Sequence, residues 1–492
     1  MDYLDKKDLS EVKLLDAANY PKKGNVANKV REDIDELIKE LGITDGSSIS
    51  FHHHLRNGDR VLMNVMSAVQ RAGIKDITVV SSSIFPTHEG LVELMEDKTV
   101  TNIVASYISG PVGEAISHGK LSGNVIMQSH GGRARAILNE EVKIDFAFIG
   151  SPSSDNRGNI SGVNGENSCG AMGYAIADAM KAKVVVSVTD SLMKYPNFPA
   201  DITEDYVDYV LLVDSIGLKS GIVSGTTMIT KDPVGLKIAK DTLDAMVATG
   251  LVKDGLSFQT GAGGISLAVA DFLKEYMVKN EITGSFASGG ITGYLVEMLE
   301  MGLFEALYDV QCFDLKAIES LQKNPNHLRM SGSQYGNPEV SNVVDNLDIV
   351  ILGATEIDTN FNVNVTTGSH GMLMGGSGGH QDTAFGSKVS IIVSKLFSSR
   401  IPFIKDRVDV ITTPGNTVDI LVTERGISVN PLRTDLIEKF KEAKVDIIDI
   451  HDLKKYAEDI MGTPKKIEKT GKIVGLSQSR DGSILDYIYE VK

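Results

Sequence analysis

The sequence predicts an α/β protein with two similar open α/β domains that arose by internal duplication. Three observations support this prediction. Residues 45–83 give a strand, a polar turn, a helix and a second strand, the order typical of a parallel sheet. The same order returns over residues 254–288. Several turns that follow strands are also rich in glycine, as in sheets that bind ligands at their carboxyl ends.

The first domain is predicted to span residues 1–225. Apolar residues at helical spacing predict a helix over 26–41, which Gly42 ends. A strand at Ser48–Phe51, a polar turn at 52–59, a helix at Val61–Arg71 and a strand at Ile77–Ser81 are expected next. Further strands are predicted at 124–127, 144–150, 183–188 and 209–213.

The second domain is predicted to span residues 226–492, with the junction near 220–235. Its first unit is a strand at 256–259, a turn at 260–264, a helix at 265–278 and a strand at 285–288. Later strands are predicted at 348–353, 389–394, 408–412 and 420–423. Pro431 and the polar residues 465–472 predict a looser C-terminal tail.

Composition narrows the class of protein. The chain has 492 residues and a formal net charge of −16, with no block of Lys and Arg, which argues against nucleic-acid binding. Cys169 and Cys312 have no CxxC spacing, so a reducing compartment is expected. Residues 1–13 lack an apolar signal core, and no apolar run is long enough for a membrane span. These features predict a cytoplasmic protein.

The glycine-rich turns at 260–264, 288–290 and 375–379 predict sites for phosphate or for a developing oxyanion. Tight turns without a ligand are the alternative. No Gly-Lys-Ser/Thr follows them, so the Walker pattern is absent, and the dinucleotide fingerprint is weak. Residues 375–379 also fit Gly-x-Ser-x-Gly, but polar residues follow, which disfavours Ser377 as a nucleophile. For Cys169, a buried thiol is favoured over a reactive thiolate.

The run His52-His53-His54-Leu55-Arg56 is the second distinctive feature. His52 and His54 would share one face of an extended chain, with Arg56 next. Three interpretations remain open: binding of an anionic polycarboxylate, a structural polar loop, and a metal site. The metal site lacks a convincing third ligand in the sequence.

Together these motifs make the sequence similar to the CoA-transferase superfamily and, within it, to the citrate lyase α-subunit family. The resemblance covers the whole chain. Its carriers are His52-His53-His54-Leu55-Arg56 within 49–59, Ser109-Gly110-Pro111-Val112-Gly113, Gln128-Ser129-His130-Gly131-Gly132-Arg133, Phe286-Ala287-Ser288-Gly289-Gly290-Ile291-Thr292-Gly293 and Gly378-Gly379-His380-Gln381-Asp382-Thr383.

The resemblance implies two CoA-transferase-type domains and transfer of a thioester carrier from acetate to citrate. It implies a CoA-like prosthetic group, phosphoribosyl-dephospho-CoA, on a small γ (acyl carrier) subunit. It also implies a β (citryl lyase) subunit that cleaves the citryl thioester, and a homo-oligomer within this hetero-oligomeric complex. No metal is expected in this chain, since the sequence has no evident ligand cluster.

One departure from the superfamily affects the mechanism. Related transferases carry a nucleophilic glutamate in a strand-end turn like 284–290, where this chain has Phe286-Ala287-Ser288-Gly289. We therefore expect no glutamyl thioester. Citrate would instead attack the acetyl thioester to form a mixed acetyl–citryl anhydride. Ser288, Gly289 and Gly290 would supply positioning and oxyanion contacts, with Gly263 and Gly264 as further amide donors.

The resemblance also directs the choice of ligand residues. His52, His54 and Arg56 are the first candidates for citrate, with Arg133, Arg157 and His380 behind them. The carrier is assigned to Gly261, Gly263, Gly264, Gly376, Gly378, Gly379 and His380. One alternative is another acyl-CoA transferase or hydrolase that uses free CoA and a glutamate such as Glu297 or Glu356. A non-enzymatic scaffold for an acyl carrier is the other.

Overall fold

A computed structural model describes Ser10 and residues 28–223, 228–398 and 401–492. In the first half the elements are β1 (Val30–Arg31), α1 (Ile34–Leu41), β2 (Ser48–Phe51), α2 (Val61–Arg71), β3 (Ile77–Ser81), α3 (Leu91–Glu96), β4 (Val100–Ala105), α4 (Pro111–Ser117), β5 (Val125–Met127), α5 (His130–Leu138), β6 (Phe146–Gly150), β7 (Ser153–Asp155), β8 (Ile160–Ser161), α6 (Ala175–Lys181), β9 (Val184–Thr189), β10 (Leu192–Met193) and β11 (Tyr209–Leu212).

The second half continues the same alternation of helices and strands. Its elements are α7 (Pro233–Ala248), β12 (Ser257–Thr260), α8 (Gly264–Lys279), β13 (Gly284–Ile291), α9 (Gly293–Glu300), β14 (Phe304–Cys312), α10 (Leu315–Lys323), β15 (His327–Arg329), α11 (Gly332–Gly336), β16 (Ile349–Leu352), β17 (Glu356–Asp358), β18 (Val363–Asn364), α12 (His380–Gly386), β19 (Val389–Val393), β20 (Phe397–Ser398), β21 (Ile401–Pro402), β22 (Ile404–Lys405), β23 (Ile420–Thr423), β24 (Gly426–Val429), α13 (Thr434–Glu442), α14 (Ile450–Met461), β25 (Lys469–Gln478) and β26 (Ile484–Val491). Short 3₁₀ turns lie at Arg56–Gly58, Pro86–His88, Lys219–Ile222, Val344–Asn346 and Gly415–Thr417.

Two large sheets organise the molecule, and they repeat one strand order. The ten-stranded sheet runs β1-β11-β9-β6-β2-β3-β4-β5-β25-β26, and the eight-stranded sheet runs β15-β14-β13-β12-β16-β19-β23-β24. Apart from the short edge strand β1, the chain in each sheet starts at a central strand (β2 or β12), adds three strands to one side and then returns to the other side. All pairs are parallel except β25 with β26 and β23 with β24. This confirms the predicted fold class of two similar open α/β sheets.

Identical side-chain contacts hold the central strand of each sheet. The amide of Ser48 donates to Asp145 Oδ2 at 2.8 Å, and the amide of Ser257 donates to Asp348 Oδ2 at 2.9 Å. Each serine hydroxyl also donates to a backbone carbonyl two residues before its aspartate. Such repetition at matching positions is the result that an internal duplication predicts.

The C-terminal residues form a hairpin rather than the looser tail expected from their polarity. Strand β25 pairs in parallel with β5, for example Leu476 with Ile126, and β26 pairs antiparallel with β25. The end of the chain thus extends the first sheet, although it follows the second sheet in sequence. The proposed division at residues 225 and 226 falls outside the described residues, and it stays a prediction.

Local differences from the predicted elements have physical causes. The helix expected over 26–41 begins only at Ile34, because Asp33 caps it by accepting a hydrogen bond from the amide of Glu36. Val26 and Ala27 lie outside the described residues. Residues 408–412 form no strand, since their amides bind side chains, such as Ile411 N to Asp486 Oδ2 at 3.0 Å.

Candidate active site

The loop that follows β2 meets strand β14 of the other sheet. Gln311 Nε2 donates to the backbone carbonyl of His53 at 2.8 Å, although the two residues are 258 positions apart. The Arg56 guanidinium lies 4.7 Å from the centre of the Phe313 ring and 5.7 Å from that of Phe85. The carboxyl ends of strands from both sheets therefore face each other here, which is where ligands bind in open α/β sheets.

Arg56 is a half-buried cation at this junction that forms no ion pair with a described residue. The one hydrogen bond of its side chain to a described residue is long, from Nη1 to the carbonyl of Ile222 at 3.4 Å. Burial lowers the pKa of Arg56 below its usual value, and its guanidinium still remains charged at neutral pH. Its φ of 53° is in the left-handed region, where a non-glycine residue is strained and often functional. Arg56 can therefore receive an anion.

His52 does not supply the charge expected of it, and His54 faces a carboxylate of the protein. Burial lowers the pKa of His52 to about 3, and its Nε2 lies 3.0 Å from the carbonyl oxygen of Gly150. His52 is therefore neutral and engaged with the backbone. His54 is buried with Nδ1 3.6 Å from Asp59 Oδ1, and its Nε2 has no partner among the described residues. The spacing of the run was visible in the sequence, but the depth of its burial was not.

Two other predicted ligand residues, Arg133 and Arg157, have protein partners. Arg133 is buried and forms two 2.8 Å bonds with Asp178, so its charge is neutralised inside the first half. Arg157 lies 3.9 Å from Glu204 and over the Tyr195 ring, at the β7–β8 hairpin. The structure brings neither side chain into contact with Arg56.

His380 is also committed to the protein. Its Nδ1 lies 2.8 Å from the Thr413 hydroxyl, and its Nε2 lies 2.9 Å from the carbonyl of Gly353. Burial lowers its pKa to about 4, so the ring is neutral at physiological pH. This arrangement gives His380 a positioning role at the start of α12, in place of the cationic role considered from the sequence.

A stack of rings that the sequence did not single out lies beside Arg56. The His130 ring centre is 4.1 Å from that of Tyr174 and 5.8 Å from that of His53. His130 begins α5, after the helix cap Ser129. Burial lowers the pKa of His130 to about 3 and that of His53 below its usual range, so both rings are neutral. The Gln128–Arg133 motif was named in the sequence analysis, but no role was assigned to His130, and this histidine was the signal that could have identified the ring stack.

Ser288, Gly289 and Gly290 lie inside strand β13, not in a turn as predicted. Strand β12 pairs with β13 only as far as Ser288, whereas β14 pairs with it through Ile291, with a register shift after Gly289. The backbone at Gly289 and Gly290 therefore has a strand neighbour on one side only. Gly289 has a φ of +107°, and a Cβ on Gly290 would lie 2.2 Å from the Phe313 ring. The φ of Gly289 favours glycine, and a side chain at Gly290 would require the Phe313 ring to move.

Hydrogen bonds within the second half hold Ser288 in place. Its hydroxyl donates to Gln259 Oε1 at 2.9 Å, and Gln259 Nε2 donates to the Tyr335 hydroxyl oxygen at 2.9 Å. No carboxylate contacts Ser288 in the described part of the chain. The neighbouring Asp309 uses Oδ2 for other partners, accepting from Cys312 at 2.9 Å and lying 3.1 Å from His327 Nε2, while its buried Oδ1 has no hydrogen-bond partner among the described residues.

The two predicted phosphate turns differ in surroundings. Gly263 is the cap of the 16-residue helix α8, with no side-chain hydrogen bond, and a Cβ on Gly261 or Gly263 would meet nothing closer than 3.7 Å. This turn is open. At 375–379 the glycines allow close packing instead, because a Cβ on Gly376 would lie 2.3 Å from the Ser106 carbonyl and one on Gly379 would lie 2.1 Å from the Tyr335 hydroxyl.

Gly378 also joins the two halves, since its carbonyl accepts from the amide of His130 at 2.8 Å. The predicted carrier contacts at Gly376, Gly378 and Gly379 therefore have a packing explanation. Ser377 Oγ accepts from the amide of Gln381, and among the described residues it forms no hydrogen bond with a histidine or a carboxylate. Cys169 is buried, and burial raises its thiol pKa above the usual range, which disfavours a thiolate.

The alternative nucleophiles are engaged in other contacts. Glu297 is exposed on α9 and lies 3.3 Å from Lys274 Nζ. Glu356 is buried, accepts from Asn364 Nδ2 at 3.2 Å and lies 3.7 Å from Lys405 Nζ. Within the described ranges no cluster of three His, Cys, Asp or Glu is placed to hold a metal ion. In that same part of the chain, no helix has the length and apolar character needed to cross a membrane.

Comparison with known proteins gives consistent results. The family model described as "Citrate lyase, alpha subunit (CitF)" matches residues 27–491. The citrate lyase alpha chain of Escherichia coli (strain K12) is 45% identical over 480 residues, which are 96% of this chain and 94% of the relative. A crystal structure of a citrate lyase alpha subunit in complex with citrate, from Streptococcus mutans, is 46% identical, with a TM-score of 0.93. The match covers 96% of this chain and 93% of that one.

Two more distant structures share the fold alone. One is a Pseudomonas malonate decarboxylase hetero-tetramer in complex with malonate, at 16% identity and a TM-score of 0.65, covering 84% of this chain and 82% of that chain. The other is 4-hydroxybutyrate CoA-transferase from Porphyromonas gingivalis, at 18% identity and a TM-score of 0.55, covering 88% and 97%.

Proposed function

This chain belongs to the citrate lyase alpha subunit family, and from this premise we propose that it is a citrate CoA-transferase. It exchanges acetate for citrate on a thioester carrier: acetyl-carrier and citrate give citryl-carrier and acetate. The carrier is the CoA-like prosthetic group of an acyl carrier (γ) subunit, and a β subunit cleaves the citryl thioester. A homo-oligomeric state and a cytoplasmic location stay predictions.

The observation that carries this proposal is the position of Arg56. It is a charged group without an anionic partner in the described chain, and the Phe313 ring lies close to both Arg56 and Gly290. A carboxylate paired with Arg56 would lie next to the one-sided backbone of β13. Guanidinium binds carboxylate through charge-assisted, often bidentate hydrogen bonds. Since His52, His53 and His130 are neutral, Arg56 is the main positive charge available there.

The same geometry supports a route without a covalent enzyme intermediate. A citrate carboxylate attacks the acetyl carbonyl, the carbon–sulfur bond breaks, and the thiolate leaves with its electron pair. The product is a mixed acetyl–citryl anhydride. Addition of the thiolate to the citryl carbonyl then breaks the anhydride bond and releases acetate. Both nucleophiles are already anionic, so neither step needs a general base.

The chain's contribution to this route is orientation and oxyanion stabilisation. The amides of Gly289 and Gly290 are candidates for contacts with the tetrahedral oxygen, because the strand has no neighbour on its β12 side there. Removing one such donor typically costs on the order of 10²–10³ in rate. The hydrogen bonds from Ser288 to Gln259 and from Gln259 to Tyr335 fix this segment, so Ser288 is a positioning residue.

The carrier's phosphates are assigned to the turn at 261–264. The first amides of α8 lack intrahelical acceptors, and the Gly263 cap leaves them without a side-chain partner. The prosthetic group supplies the thiol, and Gly261 and Gly263 allow close approach of its phosphate oxygens. Gly264 is not included among these open positions, because it packs against Met228 and Thr230. We do not assign the carrier to Gly376, Gly378, Gly379 or His380, because protein contacts already account for those residues.

An isotope-exchange assay tests the proposed function. The chain is incubated with the acetylated carrier subunit, or with acetyl-CoA, and radiolabelled acetate, with and without citrate. The expected result is incorporation of label into the thioester only when citrate is present. Incorporation without citrate would indicate a glutamyl intermediate, and no incorporation under either condition would indicate a scaffold.

A further inference from the structure

We propose that Gln311 and His130 recognise the hydroxyl group of citrate and thereby set specificity for a hydroxylated polycarboxylate. The inference rests on the proposed function, since it names a feature of the acyl acceptor. Citrate carries one hydroxyl group, whereas acetate carries none. A hydroxyl group can donate one hydrogen bond and accept two, so it needs a paired acceptor and donor from the protein.

Gln311 supplies the acceptor. It is buried at the end of β14, beside Gly290 in the strand register. Its Nε2 donates to the carbonyl of His53, and this bond fixes the orientation of the amide because a carbonyl cannot accept from Oε1. Gln311 Oε1 is buried without a hydrogen-bond partner in the described chain. An unsatisfied buried oxygen is costly, so a ligand that donates to it is favoured.

His130 supplies the donor. Its ring is held in the stack with Tyr174 and His53, and neither ring nitrogen hydrogen-bonds to a described residue. A neutral imidazole has one N–H donor and one acceptor nitrogen. A hydrogen bond to the second half fixes its backbone, because its amide donates to the carbonyl of Gly378. This rigid donor therefore lies unused beside the junction.

The chemistry selects a hydroxyl group over a carboxylate. Gln311 Oε1 can only accept, so an ionised carboxylate would be repelled by it, while an O–H would pair with it. Both Gln311 and His130 contact His53, three residues before Arg56. A carboxylate on Arg56 and a hydroxyl between Gln311 and His130 therefore match two groups that citrate carries together.

Gln311 differs in its location from two other buried glutamines. Gln128 and Gln381 also have buried Oε1 atoms without a partner in the described ranges. Gln128 Nε2 donates to the side chain of Gln478 in β25. Gln381 Nε2 donates to the carbonyl of Thr412 and, at a longer distance, to that of Gln478, so both glutamines lie near the C-terminal hairpin. Gln381 is thus a matched control: it has the same buried amide and the same carbonyl contact, with no contact to His53.

The test compares citrate with propane-1,2,3-tricarboxylate, which is citrate without its hydroxyl group. Transfer from the acetylated carrier is measured for the wild type, Gln311→Met and the control Gln381→Met. We expect the wild type to prefer citrate by at least about 100-fold in kcat/KM, as for other sites built around a substrate hydroxyl. Gln311→Met should reduce this preference at least about tenfold and leave the carrier's KM unchanged, whereas Gln381→Met should keep the preference.

A second variant distinguishes the loss of the hydroxyl contact from a folding defect in Gln311→Met. His130→Phe keeps the ring stack and removes both nitrogens, and it should also reduce the preference for citrate. Equal use of the two acids by the wild type, or an unchanged preference in both folded variants, would mean that these atoms bind only solvent. Failure of the proposed function would look different, because the wild type would then transfer no acyl group to citrate.

Discussion

The side chains of Ser129 and Asp382 are joined by a 2.6 Å hydrogen bond across 253 positions of sequence. Asp382 also accepts from the amide of Gly131 at 2.9 Å through its other oxygen. Helix α12 of the second half therefore holds the start of α5 in the first half. Because His130 lies between these two contacts, the bond fixes the donor that we assign to the citrate hydroxyl.

Ser129→Ala should destabilise the protein more at pH 8 than at pH 5. Burial raises the pKa of Asp382 from 3.8 to about 6, and the Ser129 bond opposes that rise. The stability from the raised pKa is complete below 3.8 and is lost as the pH rises through about 6. Removing the bond raises the pKa further and enlarges that loss. We expect about 1–3 kcal/mol at pH 8 in urea unfolding, and less at pH 5.

Ser331→Ala is the matched control for this experiment. Ser331 caps α11, the counterpart of α5, by accepting from the amide of Gln334, and it has no carboxylate contact. Its loss should be about 1 kcal/mol at both pH values. A pH-independent loss for Ser129→Ala as well would contradict the role of the Asp382 bond.

Arg56→Ala should raise the KM for citrate roughly 10–150-fold while the KM for the acetylated carrier changes little. The reason is loss of charge-assisted hydrogen bonds at a half-buried position. Steady-state kinetics with each substrate varied in turn provide the measurement. Arg425→Ala is the control, since Arg425 lies over the Tyr456 ring 4.8 Å away and takes no part in the junction. Equal effects of Arg56→Ala on both substrates would contradict the assignment.

Gly290→Ala should lower kcat and destabilise the fold by about 1–3 kcal/mol. The new methyl group would lie 2.2 Å from the Phe313 ring, which must move and disturb the ring beneath Arg56. Gly353→Ala is the control, because a Cβ there meets nothing within 4 Å and its φ is ordinary. Thermal unfolding and initial rates for both variants measure the difference. Wild-type rates in Gly290→Ala would show that this packing is not needed for transfer.

Local signals in the sequence were sufficient for the fold class. The strand–turn–helix–strand order appears twice, and the two sheets share one strand order as a result. The C-terminal hairpin was missed because β25 pairs with β5, far back in the sequence, and its polar residues resemble those of a loop. Strand partners at that separation leave no local pattern.

The candidate site was predictable only in part. Arg56 was identified from its run, and the structure leaves it available for a ligand. The same run gave too much weight to His52 as a cation, because the charge of a histidine depends on burial that the sequence does not show, and His54 lies against Asp59 of the protein. Gln311 and Phe313 were missed because they reach the loop from the opposite sheet. Only the folded chain brings such residues together.

The central claim is that citrate, not an enzyme carboxylate, attacks the acetyl thioester. The most direct test is a single turnover of the acetylated carrier with citrate labelled with oxygen-18 in its carboxylates. The mixed anhydride retains a citrate oxygen as its bridge, so the account predicts one oxygen-18 atom in the acetate released. Unlabelled acetate, with the label found in a glutamate of the protein, would contradict it.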